Sequence, residues 1–407
     1  MIIMKYFGGF LSIVLTITLM SCSDNKDKKT KTFDVIFQTN EIISVDERFV
    51  NNYNQSCCLA TFDDTFLAGY NKPRKTIDVF DTKGMISVAQ YDIQNEGPDA
   101  IGEVVGLSII NTSDIIIMTS SELVKAKVNS STRGLSVISR YDLKDFQDHK
   151  IKGFDYDNFQ LAIKNTFGIR VGLENAMAYD PLLNRVYLAK YNVIQNDFQS
   201  EYFQHHIGGW IDLAANSYTE PNLYYSEYLK ENGVSIPYLY DVQTLWNGKE
   251  LIYSFAASPS LFVYNPSSES VSEKMLPTDA LASVTAKPLE NFEGVKFGNV
   301  KSTMKGMAYS INAVQHFQPI WDSYRKLYYR ISKIKDTEGN ESFPPKRYGN
   351  HVLTIYNEAF EMVGESSWPE DFDATILVTK HKLLVPLKSQ NVEEELKLGR
   401  IILTGFN

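Results

Sequence analysis

One short unit recurs along this chain. A turn rich in Asp, Asn, Pro or Gly is followed at once by a run of β-branched and aromatic residues. Its clearest copy is Asp180-Pro181-Leu182-Leu183-Asn184-Arg185-Val186-Tyr187-Leu188-Ala189. It recurs as Trp246-Asn247-Gly248-Lys249-Glu250-Leu251-Ile252-Tyr253-Ser254, and again as Asp322-Ser323-Tyr324-Arg325-Lys326-Leu327-Tyr328-Tyr329-Arg330. Looser copies span 62–68, 112–117 and 379–385. A second unit follows each copy: a strand ending in Asp or Asn and then a turn, as in Leu261-Phe262-Val263-Tyr264-Asn265-Pro266. Two such runs joined by polar and Gly or Pro residues read as an antiparallel hairpin.

The copies centre near residues 66, 116, 186, 252, 328 and 384. Repeated small antiparallel sheets are the signature of a propeller, which sets four-stranded blades around an axis. The expectation is an all-β chain, a β-propeller of six four-stranded blades. The spacing exceeds the roughly 40–50 residues of a common blade, so some loops must be long. The last copy supplies three strand candidates, at 374–378, 382–387 and 400–405. Residues 33–45 then supply the fourth, closing the ring by pairing the two ends of the chain and removing free edges. Helical signal is weak throughout. Residues 281–314 lack clean alternation and read as an insertion between blades, while 192–206 and 335–348 read as loops.

The N-terminus reads differently. An apolar stretch, residues 7–19, is about 13 residues long, too short for the roughly 20 that span a bilayer. Lys5 precedes it, and Ser21-Cys22 follow. A cation, an apolar core, a small residue and then Cys is the order of a lipoprotein signal peptide. Residues 1–21 are therefore expected to be removed, Cys22 to be acylated, and the polar stretch 22–32 to serve as a tether to the membrane. One propeller domain over 33–407 follows, in the cell envelope and outside the cytoplasm. The net charge of -9 and the absence of basic runs argue against nucleic acid as a partner. The only cysteines beyond Cys22 are the neighbours Cys57 and Cys58, so no disulfide framework exists. Buried thiols, a vicinal bridge and a functional pair all stay open for them.

Two segments carry a resemblance. Glu96-Gly97-Pro98-Asp99-Ala100-Ile101-Gly102, followed by a strand, resembles the Gly-Pro motif of Bacteroidota lipoproteins of propeller type. Residues 321–330, ending in Tyr328-Tyr329-Arg330, are similar to the Asp…Arg…Tyr-Tyr-Arg segment of DUF4221, a family of unknown function. The resemblance implies a fold of the TolB-like six-bladed type and an exported address. It implies no catalytic residues.

Motifs with known chemistry are missing: no HExxH, GxSxG, GxGxxG, P-loop or EF-hand loop occurs. No catalytic residue, cofactor or metal site is expected. His205-His206 point to opposite faces if on a strand, so they do not share an ion there. Asp63-Asp64 read as turn caps and Glu393-Glu394-Glu395 as a solvated hairpin tip, and nothing in the sequence sets these or Glu370-Asp371 with Asp373 across a cleft as a glycosidase pair. For ligand contact the candidates are Glu96 and Asp99, turned to the central channel, and Tyr328 with Arg330, which share one strand face. The expected function is a membrane-anchored binding module for an envelope protein or a glycan. The alternative is a polysaccharide hydrolase or lyase on a propeller face.

Overall fold

The recurring turn is a hairpin closed by one short side chain. Asp322 Oδ1 accepts the backbone N–H groups of Tyr324 and Arg325 at 3.0 and 2.9 Å. Asp180 does the same for Leu182 and Leu183, Asp212 for Ala214 and Ala215, and Asn265 for Ser267 and Ser268. Four residues after each of these Asp or Asn side chains the backbone turns left-handed: Lys326 at φ 59°, Asn184 at 47°, Asn216 at 50° and Glu269 at 51°. A left-handed residue with a Cβ costs about 1–2 kcal/mol. The side-chain oxygen offsets that cost by satisfying N–H groups that the turn would otherwise strand.

The computed structural model describes residues 33–44, 59–61, 65–71, 74–102, 104–110, 113–119, 121–129, 131–143, 177–189, 203–204, 206–277, 285–294, 299–333, 351–388 and 395–405. Cys22 with the signal and tether segments, Cys57, Cys58, Asp63-Asp64, His205 and the loop 335–348 lie outside them. The described strands begin with β1 (Asp34–Ser44). They then fall into successive antiparallel arrays. Array one is β2 (Leu59–Thr61), β3 (Phe66–Asn71), β4 (Thr76–Asp81) and β5 (Ile86–Asp92). Array two is β6 (Val104–Ile109), β7 (Asp114–Thr119), β8 (Glu122–Asn129) and β9 (Gly134–Asp142). Array three is β10 (Met177–Asp180), β11 (Arg185–Ala189), β12 (Gly208–Asp212) and β13 (Ser217–Thr219). Array four is β14 (Val242–Trp246), β15 (Leu251–Phe255), β16 (Leu261–Asn265) and β17 (Ser270–Lys274).

In array five the inner strand is split. β18 (Gln315–His316) and β19 (Ile320–Asp322) both pair with β20 (Leu327–Lys333), followed by β21 (His351–Asn357) and β22 (Met362–Trp368). Array six joins the chain ends. β23 (Leu377–Val378), β24 (Leu383–Pro386) and β25 (Glu395–Thr404) are completed by β1, in register from Asp34↔Thr404 to Ser44↔Glu395. A bulge between Gln38 and Glu41 interrupts that ladder.

Apolar clusters join each array to the next. Ile77 and Val79 of array one meet Ile115, Ile117 and Val124 of array two. One large cluster runs from Met118 and Leu123 through Val186 and Trp210 to Tyr253 and Phe255, spanning arrays two to four. Ile252 and Val263 of array four meet Tyr328 and Tyr356 of array five. Tyr329 and Leu353 meet Val385 and Ile401 of array six. Leu384 and Leu396 of array six meet Leu67 and Phe80 of array one. Each of these side chains is 8 % exposed or less. Burying one stabilises by about 1.5–3 kcal/mol. The fold is an all-β propeller.

Two helices among the described residues depart from the sequence reading. α1 (Glu227–Asn232) is capped by Ser226, whose Oγ accepts from Leu229 N. α2 (Val300–Asn312), capped by Asn299, lies inside the segment read as strandless insertion. Its buried residues are Gly306 and Ser310, so no apolar stripe advertised it. Val300, Thr303, Gly306 and Tyr309 are also weak helix formers.

Candidate functional site

A cluster of buried polar side chains lies at the junction of arrays four and five. Alternation along β20 divides its side chains: Tyr328 and Arg330 face array four, while Tyr329 and Ile331 face array six. Arg330 is 1 % exposed. Its Nε donates to Phe317 O at 3.0 Å, Nη1 to Pro259 O at 2.6 Å and Nη2 to Ser258 O at 3.2 Å. It thereby pins the β15–β16 turn of array four onto array five. Burial pulls its pKa down to about 10. The fork geometry of guanidinium suits several carbonyls at once. Beside it, Gln243 Nε2 donates to His316 O at 3.2 Å, and Gln243 Oε1 accepts from Ser254 Oγ at 2.9 Å. His316 Nδ1 lies 2.9 Å from Ser332 Oγ.

Tyr328 is held as firmly. Its ring stacks on Phe360 at 4.8 Å and tilts against Trp321 at 4.5 Å. Its hydroxyl accepts from Asn247 Nδ2 at 2.9 Å, and burial raises its pKa to about 12. Tyr329 donates to Asp322 Oδ2 at 2.9 Å, and Arg325 Nη1 binds the same oxygen at 2.8 Å. Arg325 continues to Thr379 O and Lys380 O, at 3.2 and 3.3 Å, clipping array five to the first turn of array six. Tyr328 and Arg330, expected to touch ligand, are thus enclosed between arrays.

Asp241 was not singled out by its sequence context. It lies one residue before β14 and, by alternation, on the side that bears Gln243. It is 7 % exposed, and burial pushes its carboxyl up to about 7. Tyr238, three residues earlier, holds a left-handed φ of 64° and a buried hydroxyl with no hydrogen-bond partner among the described residues. Its pKa is raised to about 12, first by burial and then by Asp241. A carboxyl that holds its proton up to about pH 7, beside a phenol on a left-handed backbone, is the kind of pair that local pattern does not reveal.

Glu96 and Asp99 sit on the connection from β5 to β6. Glu96 is exposed. Asp99 Oδ1 accepts from Val137 N at 2.8 Å. Arg140 donates to Pro98 O and Ala100 O at 3.2 and 2.5 Å. Val137 and Arg140 belong to β9, the outermost strand of array two, so the Gly-Pro turn is tied to the rim and not to the channel. The reason is geometric: the connection must cross from an outer strand to an inner one, and it is fastened where it leaves. The His206 ring tilts against Tyr224 at 4.5 Å, and its Nδ1 bonds Pro221 O at 2.7 Å. Among the described residues no cluster of three or more His, Cys, Asp or Glu is placed to hold a metal ion.

The family described as a domain of unknown function, DUF4221, matches residues 35–367. The chain belongs to the DUF4221 family. A solved DUF4221 member from Bacteroides vulgatus ATCC 8482 is similar over 92 % of this chain and 99 % of that one, at 14 % identity and a TM-score of 0.66. A candidate exported protein from Bacteroides fragilis NCTC 9343 is similar over 94 % and 98 %, at 9 % identity and a TM-score of 0.50. Among curated proteins none matches. At these identities the likeness speaks for the fold. Within this DUF4221 chain, the Tyr-Tyr-Arg segment that carried the resemblance is the seam joining arrays four, five and six.

Proposed function

We propose that this DUF4221 chain is an exported, lipid-anchored binding module of the cell envelope, presenting its loops and turns to an envelope protein or a glycan. One observation carries the reading: its most distinctive polar side chains are spent on joining arrays. Arg330, Arg325 and Gln243 each end on a neighbouring array, and Asp322 holds Arg325 in place for its reach. Such a body is a rigid platform, and contact then falls to its surface. No helix among the described residues is long and apolar enough to cross a membrane. Attachment through Cys22 is consistent with that.

Two assays test it. Labelled palmitate should mark the chain, and Cys22→Ala should lose both label and membrane fractionation. The form beginning at Thr32 should bind one class on a glycan array or one purified envelope protein with saturation. Flat response to both would remove the binding reading.

A second reading has Asp241 behind it. A carboxyl near pKa 7 is poised for general acid or base work. Glycoside hydrolysis requires a second carboxyl about 5–9.5 Å away. Polysaccharide cleavage abolished by Asp241→Asn, with the fold intact by circular dichroism, would favour this reading over the first.

A further inference from the structure

Among the described residues six buried side-chain nitrogen or oxygen atoms have no hydrogen-bond partner, and four of them lie in one seam. They are Arg185 Nη2, Tyr187 OH, Trp210 Nε1 and Trp246 Nε1, at the junction of arrays three and four. Such atoms are few in a folded protein, because each carries a desolvation penalty while it stays unsatisfied.

Strand register explains why they meet. Arg185 pairs with Asp212 and Tyr187 with Trp210, so alternation sets all four side chains on one face of array three. Trp246 comes to them from array four. Its ring meets Trp210 edge to face at 5.9 Å, Trp210 meets Tyr187 at 5.3 Å, and the Arg185 guanidinium lies over the Trp210 ring at 4.1 Å. Arg185 opens β11 and Trp246 closes β14, so both stand at the end of the seam, beside the 181–184 and 247–250 turns. Both are half-buried, whereas Trp210 and Tyr187 behind them are 3 % and 0 % exposed. The Tyr187 hydroxyl runs deeper, to Gly208, where a Cβ would come within 2.6 Å of it. The donors nearest the surface are therefore Arg185 Nη2 and two indole N–H groups.

Charge decides what they take. Asp180 is fully engaged: Oδ1 caps its turn, and Oδ2 accepts from Arg185 Nε at 3.0 Å. Asp212 gives Oδ1 to the N–H groups of Ala214 and Ala215, and its other oxygen has no partner among the described residues. Two carboxylates against one guanidinium disfavour an anion. Three donors and an open acceptor match a neutral group that both accepts and donates, as a hydroxyl does. The surrounding indole surface suits the C–H faces of a saturated ring that carries several hydroxyls.

From these observations we infer that the end of this seam is a binding site for a neutral sugar: its hydroxyl oxygens accept from Arg185 Nη2 and from the indole N–H groups of Trp210 and Trp246, and one hydroxyl donates to Asp212. The inference rests on the binding reading above and narrows its glycan to an uncharged sugar residue.

The chain has four tryptophans and two of them are in this site, so its own fluorescence reports occupancy. The full chain in a sugar-free detergent is titrated with glucose, galactose and mannose, as monosaccharides and as oligosaccharides, and with their uronic acids as charged counterparts. At least one neutral sugar should change the emission with saturation, and its uronic acid should bind more weakly. Trp246→Phe and Trp210→Phe keep a ring and remove one donor each. Each should weaken binding about two- to tenfold by calorimetry, while Trp321→Phe, outside the seam, leaves it unchanged. Asp212→Asn keeps the oxygen that caps the turn and removes the charge, so it should narrow the gap between neutral sugar and uronic acid. A uronic acid that binds as tightly as its neutral sugar, or a gap that Asp212→Asn leaves as it was, overturns the assignment. Glycan binding that survives both Phe variants overturns the site and leaves the binding reading standing. No saturable response to any sugar also overturns the site. Saturable binding of a purified envelope protein by the same preparation would then keep the module reading, and its absence would end both.

Discussion

Two inter-array junctions solve the same packing problem with opposite chemistry. Between arrays one and two, Ile77, Val79, Ile115, Ile117 and Val124 form an aliphatic seam. Between arrays four and five the seam is part aromatic, around Tyr328 and Tyr356, and part polar, around Arg330, Gln243, Ser254 and His316. An aliphatic seam loses stability in proportion to the volume removed, because its contacts are undirected. A polar seam fails abruptly, because each lost donor strands an acceptor that water does not reach. The difference teaches where the chain fixes its geometry. Directional bonds on the two sides of array five set its relation to arrays four and six, and apolar burial tolerates adjustment elsewhere.

The largest expected effect is at Arg330. Arg330→Ala should cost about 3–5 kcal/mol in urea melts, since it strands carbonyls of Ser258, Pro259 and Phe317 and leaves a cavity. Arg330→Met restores much of the volume and not the donors. A cost under about 1 kcal/mol for it would show that the polar seam is held by packing after all. Ile117→Ala should cost about 2–4 kcal/mol and Ile117→Val about 0.5–1.5, the graded response of an aliphatic seam.

Asp241 sharpens the contrast through pH. Its folded carboxyl keeps a proton up to about pH 7, whereas the unfolded one loses it near 4. The folded chain therefore binds more protons in that window, and its stability falls as pH rises from about 4 to about 7. Asp241→Asn should remove that slope and gain on the order of 2–3 kcal/mol at pH 8 relative to wild type. An unchanged slope in melts from pH 4 to 8 would reject the buried, protonated state. The smallest effect is at an exposed turn: Asn265→Ala should cost about 0.5–1.5 kcal/mol, as it loses acceptors for Ser267 and Ser268 alone.

Local chemistry was legible in the sequence and long-range polar chemistry was not. The turn at Asp180 or Asp322 is written in consecutive residues, because the Asp side chain bonds N–H groups two and three positions on. The fourth strand of array six could be read from the ends of the chain because an unpaired edge must be covered. The Gln243–His316 bond links positions 73 apart, and neither residue sits in a pattern that names the other. Arg330 was legible as distinctive but not as buried, since a strand with Arg on it reads the same whether that face meets solvent or another sheet. α2 was hidden by its small buried residues, Gly306 and Ser310.

The central claim is that the N-terminal strand is an integral part of the last array. Native-state hydrogen exchange along β1 measures it most directly, with β25 and β20 as references. The account predicts that amides of β1 bonded to β25 lose protection together with those of β20, at the denaturant concentration of global unfolding. Exchange of β1 well before β25 and β20 would contradict it.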